Sequence, residues 1–292
     1  MSAPLQARLL VDCKAGLGEG VQWHRQTRRV YWTDIDGNIL WSATETGESV
    51  RQVALDAPLC DFAFTPDGNM LAGFADALCW LDPRTGVRRV IETYMSGNPD
   101  TRMNNGALDR QGRFIIGGIH TAGLEPVTPV WSISRGRVRP ILTEVGCASA
   151  TAFSPDGTRM YFADSRGPDI LAYDYDTVTG MPRDARIFAT LEPDEGAPDG
   201  ACVDAEGALW TACFGGGVVQ RWLPDGRRDL TVRLPVPNVT CCALGGMKMQ
   251  RLFITTARSG MNPDDLDKTP EAGGLFAVDV PVKGLPVGTY RR

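Results

Sequence analysis

Four oxygen-bearing side chains recur at matching places in the chain, and two of them are carboxylates. Glu19, Asn104, Ser149 and Asp199 each lie eight residues before a turn residue of an internal repeat. If the fold brings matching positions together, Glu19 and Asp199 face each other, and close carboxylates repel unless something neutralises them. A divalent cation does so, and ligands that are all oxygen favour a hard ion such as Ca²⁺, Mg²⁺ or Mn²⁺. The alternative is that the carboxylates are solvated or accept hydrogen bonds from free backbone N–H groups.

The elements that must position these side chains are short β-strands separated by turns. Related segments, "FTPDGNML", "LDRQGRFIIGG", "FSPDGTRMYFADS" and "VDAEGALWTACFGG", carry turn glycines at intervals of 44, 45 and 50 residues. Fainter copies place Thr27 and Gln250 at the equivalent turn, which makes six units. A period of about 40–50 residues with several strands per unit is typical of a β-propeller blade. A helical solenoid of similar period would need amphipathic helices, which this sequence lacks.

The repeat therefore predicts an all-β, six-bladed β-propeller, with residues 1–292 forming a single domain. We expect the strand-like segments "ARLLVD" and "GLFAVDV" to pair in one blade and close the ring. Matching positions of the six units then converge on a central channel, and in units two and six they are Cys60 and Cys242. On this interpretation Glu19 is flanked by glycines, in "GLGEG", because it must reach an ion on the channel axis.

Composition and charge exclude several classes of protein. The 292 residues carry a net charge of −5, which indicates no nucleic-acid partner. No apolar run approaches the roughly 20 residues that span a bilayer, and the first residues resemble neither a signal peptide nor an anchor, so we expect no membrane partner and a cytoplasmic location. The eight scattered cysteines and two histidines disfavour a Cys/His zinc site and indicate reduced thiols. Nothing in the sequence indicates an oligomeric state.

Five segments together resemble the SMP-30/gluconolactonase/regucalcin-like family over essentially the whole chain. They are "LGEG", "RMNNG", "APDGACVDAEGALWTACFGGG", "LPVPNVTCCALGG" and "FITTARSGMNPDDLDKTPEAGGLFAV". The resemblance implies a six-bladed propeller with one catalytic divalent ion, which would be calcium, zinc, manganese or magnesium. It also implies hydrolysis of a sugar lactone to the aldonic acid in sugar catabolism, although some members act on other cyclic esters or on phosphotriesters.

The resemblance also assigns roles to individual residues. It implies Glu19, Ser149 and Asp199 as ligands of the ion, and Arg102 and Asn104 as substrate-binding residues. We expect Asp199 to act as the general base besides being a ligand. Arg102 is expected to hold sugar hydroxyls or the carbonyl oxygen, because a guanidinium offers several fixed donors. Asn104 is expected to donate to the ring or carbonyl oxygen.

Three positions depart from the family pattern. Ser149 replaces an Asn, and its hydroxyl is expected to fall short of the ion by about 1–1.5 Å, so that it acts through a bridging water or not at all. Ser149→Asn should then tighten metal binding by about 1–2 kcal/mol. Asn105 replaces an Asp and is expected either to bind the ion or to stabilise its own turn. His120, at the end of "FIIGGIH", is expected either to contact substrate or to be structural.

Two functions without catalysis stay open beside the lactonase interpretation. One is a calcium-binding regulatory protein, and the other is a propeller used as a binding platform, since propellers serve all three purposes. Other conspicuous residues are interpreted as structural: His24, the Cys241–Cys242 pair and the tryptophans 32, 80 and 210 are expected to pack between strands and blades. The acidic segment "NPDDLDK", residues 262–268, lacks the ligand pattern of an EF-hand and is predicted to be a solvated loop.

Overall fold

The computed structural model describes residues 4–93 and 98–291, and its strands form six sheets. Two short strands come first: β1 (Leu5–Gln6) and β2 (Arg8–Val11). The first blade contains β3 (Gly18–His24), β4 (Arg29–Asp34), β5 (Ile39–Ala43) and β6 (Arg51–Ala54). The second contains β7 (Leu59–Phe64), β8 (Met70–Phe74), β9 (Ala77–Leu81) and β10 (Arg88–Thr93). The third contains β11 (Thr101–Leu108), β12 (Phe114–His120), β13 (Thr128–Ser134) and β14 (Arg137–Val145).

The remaining blades follow the same order along the chain. The fourth contains β15 (Ala148–Phe153), β16 (Arg159–Asp164), β17 (Asp169–Tyr175) and β18 (Pro182–Thr190). The fifth contains β19 (Ala197–Val203), β20 (Leu209–Phe214), β21 (Val218–Trp222) and β22 (Arg228–Arg233). The sixth contains β23 (Val239–Gly245), β24 (Arg251–Thr256) and β25 (Leu275–Asp279). In the part of the chain that the structure describes, no helix is long and apolar enough to cross a bilayer.

The two ends of the chain close the ring, as the repeat predicts. Strand β2 is the outermost strand of the sixth sheet and pairs antiparallel with β25, so that Arg8 lies opposite Ala277 and Leu9 opposite Phe276. Strand β1 adds a parallel fifth strand to the fifth sheet, beside β22. The all-β, six-bladed propeller expected from the sequence is thus confirmed.

Large aromatic side chains fill the spaces between blades. Trp32 and Trp210 are fully buried. Trp32 shares an apolar cluster with Phe253 of the sixth blade, and Trp210 shares one with Leu244 of the same blade. Full burial of a large apolar side chain contributes roughly 1.5–3 kcal/mol, so these contacts bind neighbouring blades together. Trp80 is half-buried instead, and its ring lies 5.9 Å from that of Tyr290 near the end of the chain.

The first strand of each blade lies innermost. Contacts run from β3 to β7, β11, β15, β19, β23 and back to β3. Each of these six strands has a β-bulge where it pairs with the second strand of its blade, at the same depth in the ring. A bulge inserts an unpaired residue and re-aims the side chains beside it. The predicted site residues of the first five units lie at or beside these bulges.

The inner strand of the sixth blade is one residue longer between its bulge and its hairpin than that of the second blade. The bulge of β7 leaves Cys60 unpaired, four residues before Phe64, which closes the hairpin opposite Met70. The bulge of β23 leaves Thr240 unpaired, five residues before Gly245, which closes the hairpin opposite Arg251. The ring residue of unit six is therefore Thr240, and the prediction of Cys242 is wrong by two residues. Thr240 is the fifth oxygen-bearing member of the ring.

A short helix replaces the loop predicted over residues 262–268. Helix α1 (Pro263–Lys268) begins after Asn262, whose side chain accepts a hydrogen bond of 2.9 Å from Asp265 N. Proline at the first helical turn and aspartates beside it suit a helix N-terminus, and Lys268 suits the C-terminus. None of the helical residues is buried, so the segment is solvent-exposed as expected but helical.

The C-terminal segment crosses the turn end of the channel. Ala205 N of the fifth blade donates to Lys283 O at 2.8 Å, and Tyr290 N donates to Phe64 O of the second blade at 2.7 Å. Tyr290 is 1% exposed, and its hydroxyl accepts from Gly136 N at 3.2 Å. A cavity of about 440 Å³ lies between this segment and the inner strands. The segment therefore bounds the channel on the side away from the strand starts.

Candidate metal and substrate site

Close packing explains the two glycines around Glu19. A Cβ on Gly18 would lie 2.8 Å from Thr256 O, and Gly20 has a φ of +55°, where a Cβ would lie 3.2 Å from Asp61 Oδ1. The Gly20 N–H also donates to Glu19 Oε2 at 3.0 Å. Larger residues would separate the first strand from its neighbours and move the carboxylate. The glycines thus fix Glu19 at the bulge of β3.

Glu19 and Asp199 form a pair of carboxyl groups that influence each other. Burial raises the pKa of Glu19 to about 7, against the opposing effects of the Gly20 N–H and the positive charge of Arg102. Burial also raises the pKa of Asp199 well above its ordinary value, and the negative charge of Glu19 raises it further. The structure therefore brings together the two carboxylates that the repeat predicts, in surroundings that disfavour their charged forms unless a cation compensates them.

Ser149 lies beside Asp199 and is fully buried. Its Oγ is 3.4 Å from Asp199 Oδ1 and 2.8 Å from Ser165 Oγ. Ser165 follows β16 and donates to Pro198 O at 2.6 Å. Sequence reasoning missed Ser165, because it follows the second strand of its blade and does not occupy the repeated position on the first.

Arg102 and Asn104 also reach this layer of the channel, and they contact each other. Arg102 Nη1 donates to Asn104 Oδ1 and to Met103 O, both at 2.8 Å. Asn104 Nδ2 donates to Ala148 O at 2.9 Å and contacts Cys147 Sγ at 3.8 Å. Asn104 therefore holds the guanidinium in place and offers its remaining oxygen lone pair, instead of a free amide donor, to a ligand.

His120 and Asn105 differ in their relation to this layer. His120 lies opposite Thr101 across β11 and β12, and its Nδ1 contacts the Glu125 carboxylate and accepts from Glu125 N at 3.2 Å. It therefore stands at the strand end next to Arg102, held by the following loop. Asn105 is 5% exposed, and its Oδ1 accepts from Thr151 N at 3.0 Å, which joins the third blade to the fourth. Neither role expected for Asn105 describes this contact.

A third buried carboxyl group, Asp61, lies next to the ring position of the second blade. Its oxygens accept from Phe62 N and Gly106 N, both at 2.7 Å, and burial raises its pKa to about 8. Asp61 and Gln22 line the cavity that the C-terminal segment bounds. The sequence count missed Asp61 because it stopped one residue earlier, at Cys60.

The other residues interpreted as structural have structural contacts. His24 stacks on Phe64 with ring centroids 4.0 Å apart, and its Nδ1 lies 2.9 Å from Thr27 Oγ1. The Cys241–Cys242 pair is buried in the apolar packing between blades. All eight cysteines are free thiols.

The donors around Glu19 and Asp199 suit a hard cation. Over residues 4–93 and 98–291, no group of three His, Cys, Asp or Glu side chains could hold a metal ion, so neutral oxygens must complete any site. Two oxygens that each lie about 2.4 Å from one calcium ion, at right angles, are about 3.4 Å apart. The distance of 3.4 Å between Ser149 Oγ and Asp199 Oδ1 matches that separation. The Asp199 carboxylate and the Ser149 hydroxyl are therefore spaced as two ligands of one calcium-sized ion would be, and Glu19 lies near enough for its charge to raise the pKa of Asp199.

Fold and site together define a six-bladed β-propeller with an oxygen-rich acidic centre in its channel. The family described as SMP-30/Gluconolactonase/LRE-like region matches residues 17–258, and the chain belongs to this family. It is similar to an L-arabinolactonase of Azospirillum brasilense, with 36% identity over 292 residues that cover 98% of this chain and 95% of that protein. It is also similar to the regucalcin of Homo sapiens, with 31% identity over 300 residues and 99% of both chains covered.

A solved structure has nearly the same fold. The calcium-binding protein regucalcin from Agrobacterium tumefaciens superposes with a TM-score of 0.95, over 100% of both chains, at 27% sequence identity. The family expected from the five sequence segments is therefore confirmed.

Proposed function

We propose that this protein hydrolyses a sugar lactone to the aldonic acid with the help of one divalent cation, as a step in sugar catabolism. The observation that carries the proposal is the Glu19–Asp199 pair of carboxyl groups with Ser149 beside it, at one depth of the channel. A similar protein is named L-arabinolactonase, which favours a lactone as substrate. A second is named a calcium-binding protein, which favours a calcium-sized ion.

Glu19, Asp199 and Ser149 would hold the cation. When bound, a divalent cation supplies Lewis-acid polarisation of the lactone carbonyl and favours deprotonation of a nearby water. The cation would compensate the like negative charges of the two carboxylates, so their ionised forms would be favoured. Manganese and magnesium, which also prefer oxygen ligands, and zinc, which accepts carboxylate ligands besides thiolates and imidazoles, are the alternatives to calcium.

Asp199 is proposed to take a proton from the attacking water. Each carboxylate accepts a backbone N–H, Glu19 that of Gly20 and Asp199 that of Gly200, but Asp199 is the more exposed of the two. A base must lie within hydrogen-bond reach of the proton that it abstracts, which favours the more accessible carboxylate. The same group would return the proton to the ring oxygen as the carbon–oxygen bond of the lactone breaks.

Arg102 is proposed to orient the lactone. Its guanidinium is fixed by Met103 O and Asn104 Oδ1, and a fixed planar donor group loses little rotamer freedom when it binds a ligand. Asn104 holds Arg102 in place, and its side-chain oxygen is proposed to accept a hydrogen bond from a sugar hydroxyl as well. His120, at the neighbouring strand end, is proposed to contact the outer part of the substrate.

A lactone panel with and without chelator tests this proposal. We expect hydrolysis of at least one five- or six-membered aldonolactone, loss of that activity after treatment with EDTA, and recovery when a divalent ion is added back. The release of acid is measured at constant pH and corrected for spontaneous hydrolysis. Rates equal to the spontaneous rate for every lactone would remove the lactonase proposal, and calcium binding without hydrolysis would favour a regulatory protein. Hydrolysis that resists chelation would remove the cation from the mechanism.

A further inference from the structure

Three oxygen contacts link Ser165 to the acidic pair. Ser165 Oγ lies 2.6 Å from Pro198 O and 2.8 Å from Ser149 Oγ, and Ser149 Oγ lies 3.4 Å from Asp199 Oδ1. The two hydroxyl groups supply only two protons for these three contacts. A hydroxyl hydrogen rotates to suit its neighbours, so the acceptors decide where each proton goes.

The carbonyl oxygen of Pro198 determines where the hydroxyl proton of Ser165 points. A carbonyl has no hydrogen to give, so the shortest contact requires that Ser165 donate to Pro198 O. The contact of 2.8 Å between the two hydroxyls then needs the proton of Ser149, because two lone pairs at this distance repel. Neither hydroxyl proton remains for the longest contact, between Ser149 and Asp199, so Ser149 faces Asp199 with a lone pair. Cys147 Sγ, at 3.9 Å from Ser149 Oγ, is a weak partner at long distance and does not compete.

We propose that Ser165 is a positioning residue that draws the proton of Ser149 away from the channel, so that Ser149 presents an oxygen lone pair and binds the cation directly. This inference rests on the proposed cation site. It replaces the expectation that Ser149 acts through water or not at all, since its Oγ lies at the distance from Asp199 Oδ1 that two ligands of one calcium-sized ion show. The serine pair would thus supply the ligand oxygen that the family resemblance assigns to an asparagine at this position.

The backbone holds Ser165 where this role requires it. Ser165 N donates to Cys147 O at 3.0 Å, which ties the end of β16 to the start of β15, two residues before Ser149. Pro198 O, the acceptor of the Ser165 proton, directly precedes Asp199 in β19. The chain from Pro198 through Ser165 to Ser149 therefore links the fifth blade to the fourth at the depth of the site.

Calorimetric titration of the EDTA-stripped, dialysed protein with Ca²⁺ and Mn²⁺ tests the inference. Ser165→Ala is expected to weaken binding about 10-fold, as is typical when a group that orients a ligand is lost. Ser165→Thr keeps the hydroxyl and is expected to retain near wild-type affinity. Ser134→Ala is the control, because Ser134 has similar exposure but lies on β13, the third strand of another blade. Thermal unfolding of each metal-free variant shows whether it is folded.

A double-mutant cycle separates orientation from a general structural effect. If Ser165 acts through Ser149, then Ser165→Ala should change affinity little in a Ser149→Ala background. Equal losses in both backgrounds, or wild-type affinity in Ser165→Ala, would overturn the inference while leaving the cation site in place. If the wild-type protein bound neither ion, both the site and the inference would be wrong.

Ser149→Asn provides an independent test of direct ligation. Because Ser149 is fully buried and already in position, we expect the longer asparagine to bring no gain in affinity for Ca²⁺. Tighter binding by Ser149→Asn would instead support the water-bridged serine expected from the sequence, and it would overturn direct ligation.

Discussion

Replacing Asp199 with asparagine is expected to lower kcat for lactone hydrolysis by about 10²- to 10⁴-fold. Asparagine keeps one oxygen that can bind a cation, but it cannot accept the proton of the attacking water. The loss should therefore persist when the cation is saturating. A decrease of this size corresponds to about 3–5 kcal/mol in the activation free energy.

Glu19→Gln separates ion binding from proton transfer. Glu19 is assigned only as a ligand, so its loss should weaken cation binding, and excess cation should restore much of the activity. The measurement is kcat for each variant across a series of cation concentrations. Asp174→Asn is a suitable control, because Asp174 is exposed and pairs with Arg186 at 2.8 Å far from the acidic pair along its blade. Full recovery of Asp199→Asn at high cation would show that Asp199 is a ligand only.

Much of the fold was predictable because the pattern that encodes it repeats. Each blade needs a turn glycine or its substitute at a nearly constant interval, and six copies of a weak signal identify the architecture where one copy would not. Ring closure was predictable from the apolar segments at the two ends. Helix α1 was not, because its six residues depend on the Asn262 cap and carry no apolar face that would reveal a helical period.

The site was predictable to the extent that the repeat keeps its register. Glu19 and Asp199 lie together because their blades have similar distances from turn to bulge. Thr240 was missed because the inner strand of the sixth blade has an extra residue between its bulge and its turn, a difference that only the strand pairing reveals. Ser165 was missed for a different reason, since it lies outside the repeated position and reaches the site through contacts with Ser149 of its own blade and Pro198 of the next.

The stability of the metal-free protein should fall as pH rises from about 4.5 to 7. The pKa of Glu19 is about 7 in the folded protein, whereas an unfolded glutamate has a pKa near 4.3. Between these values the folded state holds a proton that the unfolded state has lost, so the free energy of unfolding decreases with increasing pH. Since one pKa unit corresponds to about 1.4 kcal/mol, Glu19 alone accounts for about 3 to 4 kcal/mol. The raised pKa of Asp199 acts in the same direction.

A bound cation should reverse this dependence, and the reversal distinguishes a metal site from a solvated pair of carboxylates. The cation binds the ionised carboxylates and displaces their protons, so its stabilising effect grows as pH rises. Calorimetric unfolding at a series of pH values between 5 and 8, in EDTA and in excess Ca²⁺, measures the difference. We expect the two unfolding temperatures to diverge with increasing pH in the wild type and to diverge less in Glu19→Gln, which lacks one of the titrating groups. Parallel curves in EDTA and Ca²⁺ would mean that the pair binds no calcium, and a flat curve in EDTA would mean that Glu19 is ionised in the folded protein without help from a cation.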